Sequence, residues 1–541
     1  MTSISGGEAI VSGLVAHGVD TVFGLPGAQI YGLFDAFQQA QLKVIGARHE
    51  QACGYMAYGY ARSTGRPGVF SVVPGPGVLN AGAALLTALG SNEPVLCLTG
   101  QVPTEFLGKG RGHLHEMPDQ LATMRSIVKW ADRIEYPGAA PTLVSRAFQE
   151  MLSGRHGPAA LEMPWDVFTQ RAEVAAARRF DLFPAPQPDT ERVKAAAALI
   201  AGSKTPMIFV GSGAFHARDE ILELAELIDA PVVAFRSGRG IVSNAHELGL
   251  TMAAAYRLWP DTDLMIGIGT RLELPTMSRW PFQPDGLKSI RIDIDPSEMR
   301  RFTPDAAIIA DAQAGTGELL AAVRRRGYTK TSGRRAAIRD ASAAALKQIQ
   351  SVRPQMAYLN ILREVLPPYA IVTDELSQVG FASWYGFPIY EPRTFITSGY
   401  QGTLGAGFPT ALGAKVAHPD RPVVAITGDG GFMFAVQELA TAVQFNIGVV
   451  TLVFNNNAYG NVRRDQRERF DGRVVAADLV NPDFVRLAES FGVGAARVTS
   501  PETFRAVLEK ALADGGPYLI AIEVPKDSEV SPWTFIHPAK P

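Results

Sequence analysis

A chain of 541 residues exceeds a usual single domain and predicts roughly two to four of them. Its 47% hydrophobic and 19% charged residues are those of an ordinary globular protein, which excludes an intrinsically disordered chain. A formal net charge of −2 excludes an electrostatic footprint for nucleic acid or an anionic membrane, and Arg324-Arg325-Arg326 is too short a run to change that.

From its start to Arg171 the chain predicts one α/β unit. Ile10, Leu14 and Val15 give the first helix an apolar face, and Thr21-Val22-Phe23-Gly24 makes a short strand ending in the turn Leu25 to Gln29. No basic leader or long apolar stretch occurs, so a cytoplasmic location and no membrane span are expected. Lys43 to Ala47 reads as the next strand, with Arg48-His49-Glu50 at its end and a helix carrying Ala52, Ala57, Tyr60 and Ala61 behind it. A carboxylate at such a junction has a structural reading, as a partner for the positive end of the helix dipole. Pro74-Gly75-Pro76-Gly77 then turns the chain so that backbone can approach a ligand, and Asn80, Ala81, Ala83 and Ala84 begin the next helix. Cys53 and Cys97 are the only cysteines and lack metal-type spacing, so both are expected to be buried small residues.

Phe183-Pro184-Ala185-Pro186-Gln187-Pro188-Asp189 predicts an extended linker to a second unit, residues 190–328. Pro206–Gly211, Pro231–Ala234, Leu264–Gly267 and Ile290–Pro296 are four apolar strands alternating with helical stretches, a Rossmann-like pattern. Gly211-Ser212-Gly213 follows the first of these strands, but Ala214-Phe215-His216 comes next and the third glycine of a dinucleotide fingerprint is absent. This argues against a nicotinamide-dependent oxidoreductase.

An Ala-rich helix, Arg334 to Ser351, connects to a third unit, residues 354–541. Its first strand, Ala370 to Asp374, is followed by Glu375-Leu376-Ser377-Gln378, and Ser398 to Gly405 precedes a small-residue helix from Ala406 to Ala417. Val423 to Thr427 is a buried strand ending at Gly428-Asp429-Gly430-Gly431. Val436, Leu439, Ala440 and Val443 recur at helical spacing, and Val449 to Phe454 forms a second strand ending in Asn455-Asn456-Asn457. Tyr518 to Val524 is the last strand, and the tail Ser531 to Ile536 is expected over the site. Parallel strands joined by a crossover helix end on one edge of a sheet, so Asp429 and Asn456 are expected to meet there. Hard oxygen ligands of this kind suit Mg²⁺, which is usually completed by phosphate oxygens and water, so the partner is expected to be a diphosphate.

Gly428-Asp429-Gly430, the helix after it and Asn455-Asn456 together resemble the signature of thiamine diphosphate enzymes. Arg48-His49-Glu50, the helix Gly54 to Ala61 and Pro74 to Gly77 look like their pyrimidine-binding domain. The resemblance spans the chain, in the domain order of acetolactate synthase, benzoylformate decarboxylase and benzaldehyde lyase. It implies three doubly wound parallel-sheet α/β domains: pyrimidine-binding (1–171), central Rossmann-like (190–328) and diphosphate-binding (354–541). Asp429, the Asn456 side chain and the Ala458 carbonyl are implied to hold Mg²⁺ on the diphosphate, with Gly428, Gly430, Gly431 and Tyr459 around it. Ser377 and Gln378 are implied to reach diphosphate oxygens. Glu50 is implied to hydrogen-bond the aminopyrimidine and drive its activation, with Pro76 and Asn80 beside the ring, the Gly402 carbonyl accepting from it and Leu404 propping the cofactor into a bent form. The chemistry needs Glu50 in a dry pocket, where desolvation raises a carboxyl pKa. The central domain of such enzymes sometimes holds FAD or ADP, and the sequence leaves FAD open. The cofactor of the family lies between domains of two subunits, which implies a homodimer or homotetramer.

The implied reaction makes or breaks a carbon–carbon bond next to a carbonyl, on a small 2-oxo acid or 2-hydroxy ketone. Phe23 to Gly27, Ile292 to Pro296 and Gly405 to Pro409 look most like acetolactate synthase. Where the branched-chain enzymes place glutamine before Pro118 this chain has His115, and Asp465 and Asn461 replace their tryptophan and methionine, which puts biosynthetic acetohydroxyacid synthesis in doubt. His115, with Gln29 opposite, is a candidate to hydrogen-bond or protonate an intermediate, against the plain reading of a solvated loop histidine. Arg463 and Arg464 are candidates for a substrate carboxylate, against a surface charge run. The absence of an adjacent His-His pair favours ligation over a non-ligating 2-oxo acid decarboxylase. A catalytically silent cofactor-binding subunit is the reading from another class, and the presence of Glu50, Asp429 and Asn456 together argues against it.

Overall fold

The computed structural model describes residues 2–540; Met1 and Pro541, the outer bounds of the expected first and third units, lie outside the described residues. Apolar runs that bury both faces build three six-stranded sheets, each parallel throughout. In the first, the spatial order is Lys43–Gly46, Thr21–Gly24, Gly68–Val72, Val95–Gln101, Ala159–Pro164, Trp130–Arg133. The third repeats that order with Phe395–Ile396, Ile371–Asp374, Val423–Gly428, Val450–Asn455, Tyr518–Glu523 and Gly494–Val498. Numbered along the chain, both run 2-1-3-4-6-5, so the direction of winding reverses between strands 1 and 3, where a crevice opens beyond the strand ends.

The central sheet, Gly249–Leu250, Val232–Val233, Pro206–Val210, Leu264–Ile268, Lys288–Asp293 and Ala306–Ile309, runs 3-2-1-4-5-6, the Rossmann order. It has six strands where the sequence predicts four: Gly249–Leu250 is too short to leave a pattern, and the four-residue apolar run Ala306–Ile309 is the other strand outside the predicted set. An antiparallel pair, Thr2–Ser5 with Arg171–Val174, ties the start of the first unit to its end.

The first and third units share one hydrophobic core, in which Tyr55, Met56, Phe408, Leu412 and Leu439 are buried together. Helix Glu50–Thr64 crosses helix Gly407–Ala417 so closely that a Cβ on Gly413 would lie 1.9 Å from the Met56 carbonyl oxygen, and one on Gly59 2.0 Å from that of Thr410. Backbone cannot yield as a flexible side chain can. Gly413→Ala is therefore expected to destabilise the chain by about 1–3 kcal/mol, read as a lower melting temperature by calorimetry.

Two predicted faces are rotated. Val15 is exposed, because helix Gly6–Ala16 turns Ile10, Val11 and Leu14 inward. The helix after the glycines is short, Glu438–Gln444, and buries Glu438, Leu439, Thr441 and Ala442 while Val443 is exposed. The inward acid has its own reason: both Glu438 carboxylate oxygens accept from the Arg48 backbone N–H at 3.1 Å, which fastens the segment before Glu50 to the third unit.

Candidate active site

At the switch point of the third sheet, strand Val423–Gly428 delivers Asp429 into a short turn of helix, Asp429–Phe432. Asp429 is buried, and its carboxylate accepts from the Gly430 N–H at 2.8 Å and from Asn481 Nδ2 at 2.7 Å. Burial raises its pKa, opposed by these bonds and by the backbone N–H groups of Ala458 and Asn457. The strand ends thus bring Asp429 beside the segment after Asn456, as the crossover predicts. Asn456 itself donates to Glu529 Oε2 at 2.6 Å and accepts from the Ala458 N–H at 3.1 Å. The glycines are cradles: a Cβ on Gly430 would lie 2.5 Å from the Tyr459 ring, one on Gly431 2.5 Å from the Glu375 carboxyl carbon, and one on Gly428 3.2 Å from Ser377 Cβ.

The strand before it, Ile371–Asp374, ends in the wholly buried Glu375, whose Oε1 accepts from the Gly405 N–H. Burial pushes the Glu375 carboxyl up to about 8 and that of its neighbour Asp374 up to about 7. Glu375 Oε2 and Gln378 Oε1 are buried and find no partner in the protein. Ser377 caps helix Gln378–Gly386, its hydroxyl accepting from the Gly380 N–H at 3.0 Å, which leaves its own hydrogen to donate. Gly402 sits at φ 58° against Leu376, and Leu404 is half-buried, so Leu404 is not a plain core residue.

At the corresponding edge of the first sheet, Glu50 is the first residue of helix Glu50–Thr64 and accepts from Asn80 Nδ2 at 3.0 Å. The enclosed dry pocket expected around Glu50 is not built by one chain: Glu50 is half-buried, and Pro76, Leu79 and Asn80 beside it are exposed. Gln29, wholly buried, meets His115, with Oε1 3.0 Å from His115 Nδ1. Burial lowers the pKa of His115, and the nearby Glu50 charge raises it. The first edge therefore gathers Glu50, Asn80, Gln29 and His115, and the third gathers Asp429, Asn456, Ala458, Tyr459, Ser377 and Gln378.

Arg463 and Arg464 are not free for a substrate carboxylate. Arg463 pairs with Asp478 at 2.9 Å and Asp527 at 2.5 Å, and Arg464 with Asp465 at 2.7 Å and Ser531 at 2.6 Å. The tail does reach this edge: Asp527, Glu529 and Ser531 line a cleft of about 50 Å³ with Gln378, Asn456 and Ala458. A much larger cavity, about 330 Å³, lies at the edge of the central sheet between Gly211, Gly269, Asp293 and the arginines Arg236, Arg271 and Arg393.

His113, Glu375, Asn481 and Glu529 are polar residues of these edges that sequence patterns did not single out. Glu375 alone carried a signal, an acid directly after an apolar strand. Glu529, pushed up to about 7 by burial, sits in a polar tail that has no periodicity.

Profiles of the thiamine pyrophosphate (thiamine diphosphate) enzyme domains match the chain in three places: the N-terminal TPP binding domain over residues 4–123, the central domain over 193–321 and the C-terminal TPP binding domain over 376–522. A probable acetolactate synthase large subunit of Methanocaldococcus jannaschii is 35% identical, over 96% of this chain and 92% of that protein. A probable 2-ketoarginine decarboxylase of Pseudomonas aeruginosa is 32% identical, over 96% and 94%. The acetolactate synthase isozyme 1 large subunit of Escherichia coli K12 is 29% identical, over 98% and 95%.

Proposed function

The chain belongs to the thiamine pyrophosphate enzyme family, as a thiamine diphosphate-dependent carboligase or decarboxylase, and on that premise we propose that it ligates small 2-oxo acids or 2-hydroxy ketones with Mg²⁺ as second cofactor. The observation that carries the reading is the edge of the third sheet. Glycines 430 and 431 leave no room for side chains and Gly428 little, and Glu375 Oε2 and Gln378 Oε1 are buried oxygens without a partner, Gln378 Oε1 calling for a donor or a cation. A cofactor whose heterocycle carries N–H donors, with a cation beside its diphosphate, fits those oxygens, and the Ser377 hydroxyl hydrogen is free to donate to a diphosphate oxygen. When bound, thiamine diphosphate supplies an electron sink that lets a carbonyl carbon act as a nucleophile.

In this reading Asp429, the Asn456 side chain and the Ala458 carbonyl hold Mg²⁺, with Ser377 donating to the diphosphate and Tyr459 flanking it. Gly402 and Leu404 seat the heterocycles. Glu50, held by Asn80, would exchange a proton with the aminopyrimidine ring when the cofactor is bound, next to Pro76. Exposed apolar side chains adjoin both edges, Tyr31, Leu79 and Leu114 near Glu50 and Met433 and Phe434 near Asp429, which supports a homodimer or homotetramer whose second copy encloses the site. The central cavity, rich in arginine and of ordinary ligand size, would take a nucleotide such as FAD or ADP.

A second reading, a non-ligating 2-oxo acid decarboxylase, draws on His113 and His115. They are not adjacent in sequence, yet Gln29 Nε2 lies 3.4 Å from His113 Nδ1 while Gln29 Oε1 meets His115. The test is calorimetric binding of thiamine diphosphate with and without Mg²⁺, followed by incubation with pyruvate and NMR of the product. Binding is expected to require Mg²⁺ and to weaken by about 100-fold or more in Asp429→Ala. Acetolactate or acetoin supports ligation and an aldehyde supports the second reading, while no cofactor binding overturns both.

A further inference from the structure

Gln29 and His115 meet from the loops that follow strands Thr21–Gly24 and Val95–Gln101 of the first sheet, and both hold a left-handed backbone that side chains rarely adopt, at φ 74° and 62°. His115 is pressed against the turn at Gly75, where a Cβ would lie 2.6 Å from its carbonyl oxygen. The strain is maintained by packing, which points to a fixed side-chain arrangement.

The arrangement decides its own hydrogens. Gln29 Nε2 lies 2.7 Å from the Leu114 carbonyl oxygen, an atom that can only accept, so this end of the amide must be the NH₂ group. Its second hydrogen is directed to His113 Nδ1 at 3.4 Å. The opposite end, 3.0 Å from His115 Nδ1, is therefore the carbonyl oxygen, and a carbonyl oxygen can only accept. His115 Nδ1 must carry the hydrogen. A flipped amide would set oxygen against oxygen at Leu114, whereas both ring contacts could re-form with the opposite tautomers, so the Leu114 carbonyl alone fixes the orientation.

We propose that Gln29 is a positioning residue that locks His115 in its Nδ1–H tautomer, leaving Nε2 as a bare lone pair. His115 then takes a proton rather than giving one at rest, and the amide cannot supply a proton to replace it. Burial, which disfavours the charged ring, acts in the same direction, and Glu50 is the charged group that opposes it. The inference rests on the reading that His115 belongs to the active site.

The test is solid-state NMR of the full chain labelled with ¹⁵N-histidine at pH 8, with His115 among nine histidines assigned by difference from His115→Asn. The expected result is a protonated Nδ1 and an unprotonated Nε2. Gln29→Leu should shift the ring to the Nε2–H form, and Gln29→Glu, which keeps an acceptor, should restore Nδ1–H. An Nε2–H signal in the unmodified chain, or no change in Gln29→Leu, overturns the proposal; the unmodified chain alone decides it should Gln29→Leu not fold. Turnover in His115→Ala separates the two claims: unchanged turnover sinks the placement of His115 in the site, whatever tautomer the spectra record.

Discussion

Glu50→Gln is expected to lower turnover of a 2-oxo acid by about 10²–10⁴-fold while thiamine diphosphate still binds. Glutamine keeps the shape, and its oxygen can still accept from Asn80, which donates to Glu50 Oε2 at 3.0 Å. What it loses is a proton-exchanging oxygen. The competing reading of Glu50, a carboxylate easing the dipole of helix Glu50–Thr64, makes a different prediction: about 0.3–1 kcal/mol of stability lost, with chemistry untouched. Turnover, calorimetric cofactor affinity and melting temperature on the one variant separate them. Full turnover with a lowered melting temperature would remove Glu50 from the chemistry. The half-buried position of Glu50 adds a condition, because one chain does not exclude water from it. On the homo-oligomer proposed above, the effect should be read in the assembled protein, and dilution to monomers should itself reduce activity.

Sequence patterns reached the fold where a strand was long, apolar and followed by an unusual residue. Val423–Gly428 and Val450–Asn455 are such strands, and the rule that parallel strands end together placed Asp429 near the Asn456 segment without coordinates. Patterns failed where the deciding contact is remote in sequence. Nothing local says that Glu438 turns inward, because its partner is the backbone of Arg48. Nothing in Arg463 or Arg464 says that Asp527 and Ser531 of the tail already occupy them. The two-residue strand Gly249–Leu250 escaped for a similar reason, since the sheet and not its own sequence defines it, whereas Pro231–Ala234 was legible as the strand Val232–Val233. His113 escaped because its relation to His115 runs through Gln29, in another loop.

Glu375→Gln is expected to stabilise the chain at pH 8 and to flatten its dependence on pH. Glu375 is wholly buried, its Oε1 accepts from the Gly405 N–H, its Oε2 has no protein partner, and Gly431 and Asp374 close around it. Burial raises the carboxyl from the usual 4.5 to about 8, so across that window the folded chain keeps a proton that the unfolded chain has lost. The folded state binds more protons, and stability from this group is full below about pH 4.5 and falls as pH rises through 8. Each pH unit is worth about 1.4 kcal/mol, which makes the loss on the order of 5 kcal/mol for a group this deeply buried. Glutamine has no proton to lose, so the gap between variant and parent should widen from pH 5 to pH 8.5, measured by denaturant titration of the cofactor-free chain. Parallel curves would mean that Glu375 is already ionised when folded. A neutral carboxyl at Oε2 is also a donor, between the Gly405 loop and the glycines around Asp429. Glutamine retains a donor there and leucine does not, so cofactor affinity should survive Glu375→Gln and fall in Glu375→Leu.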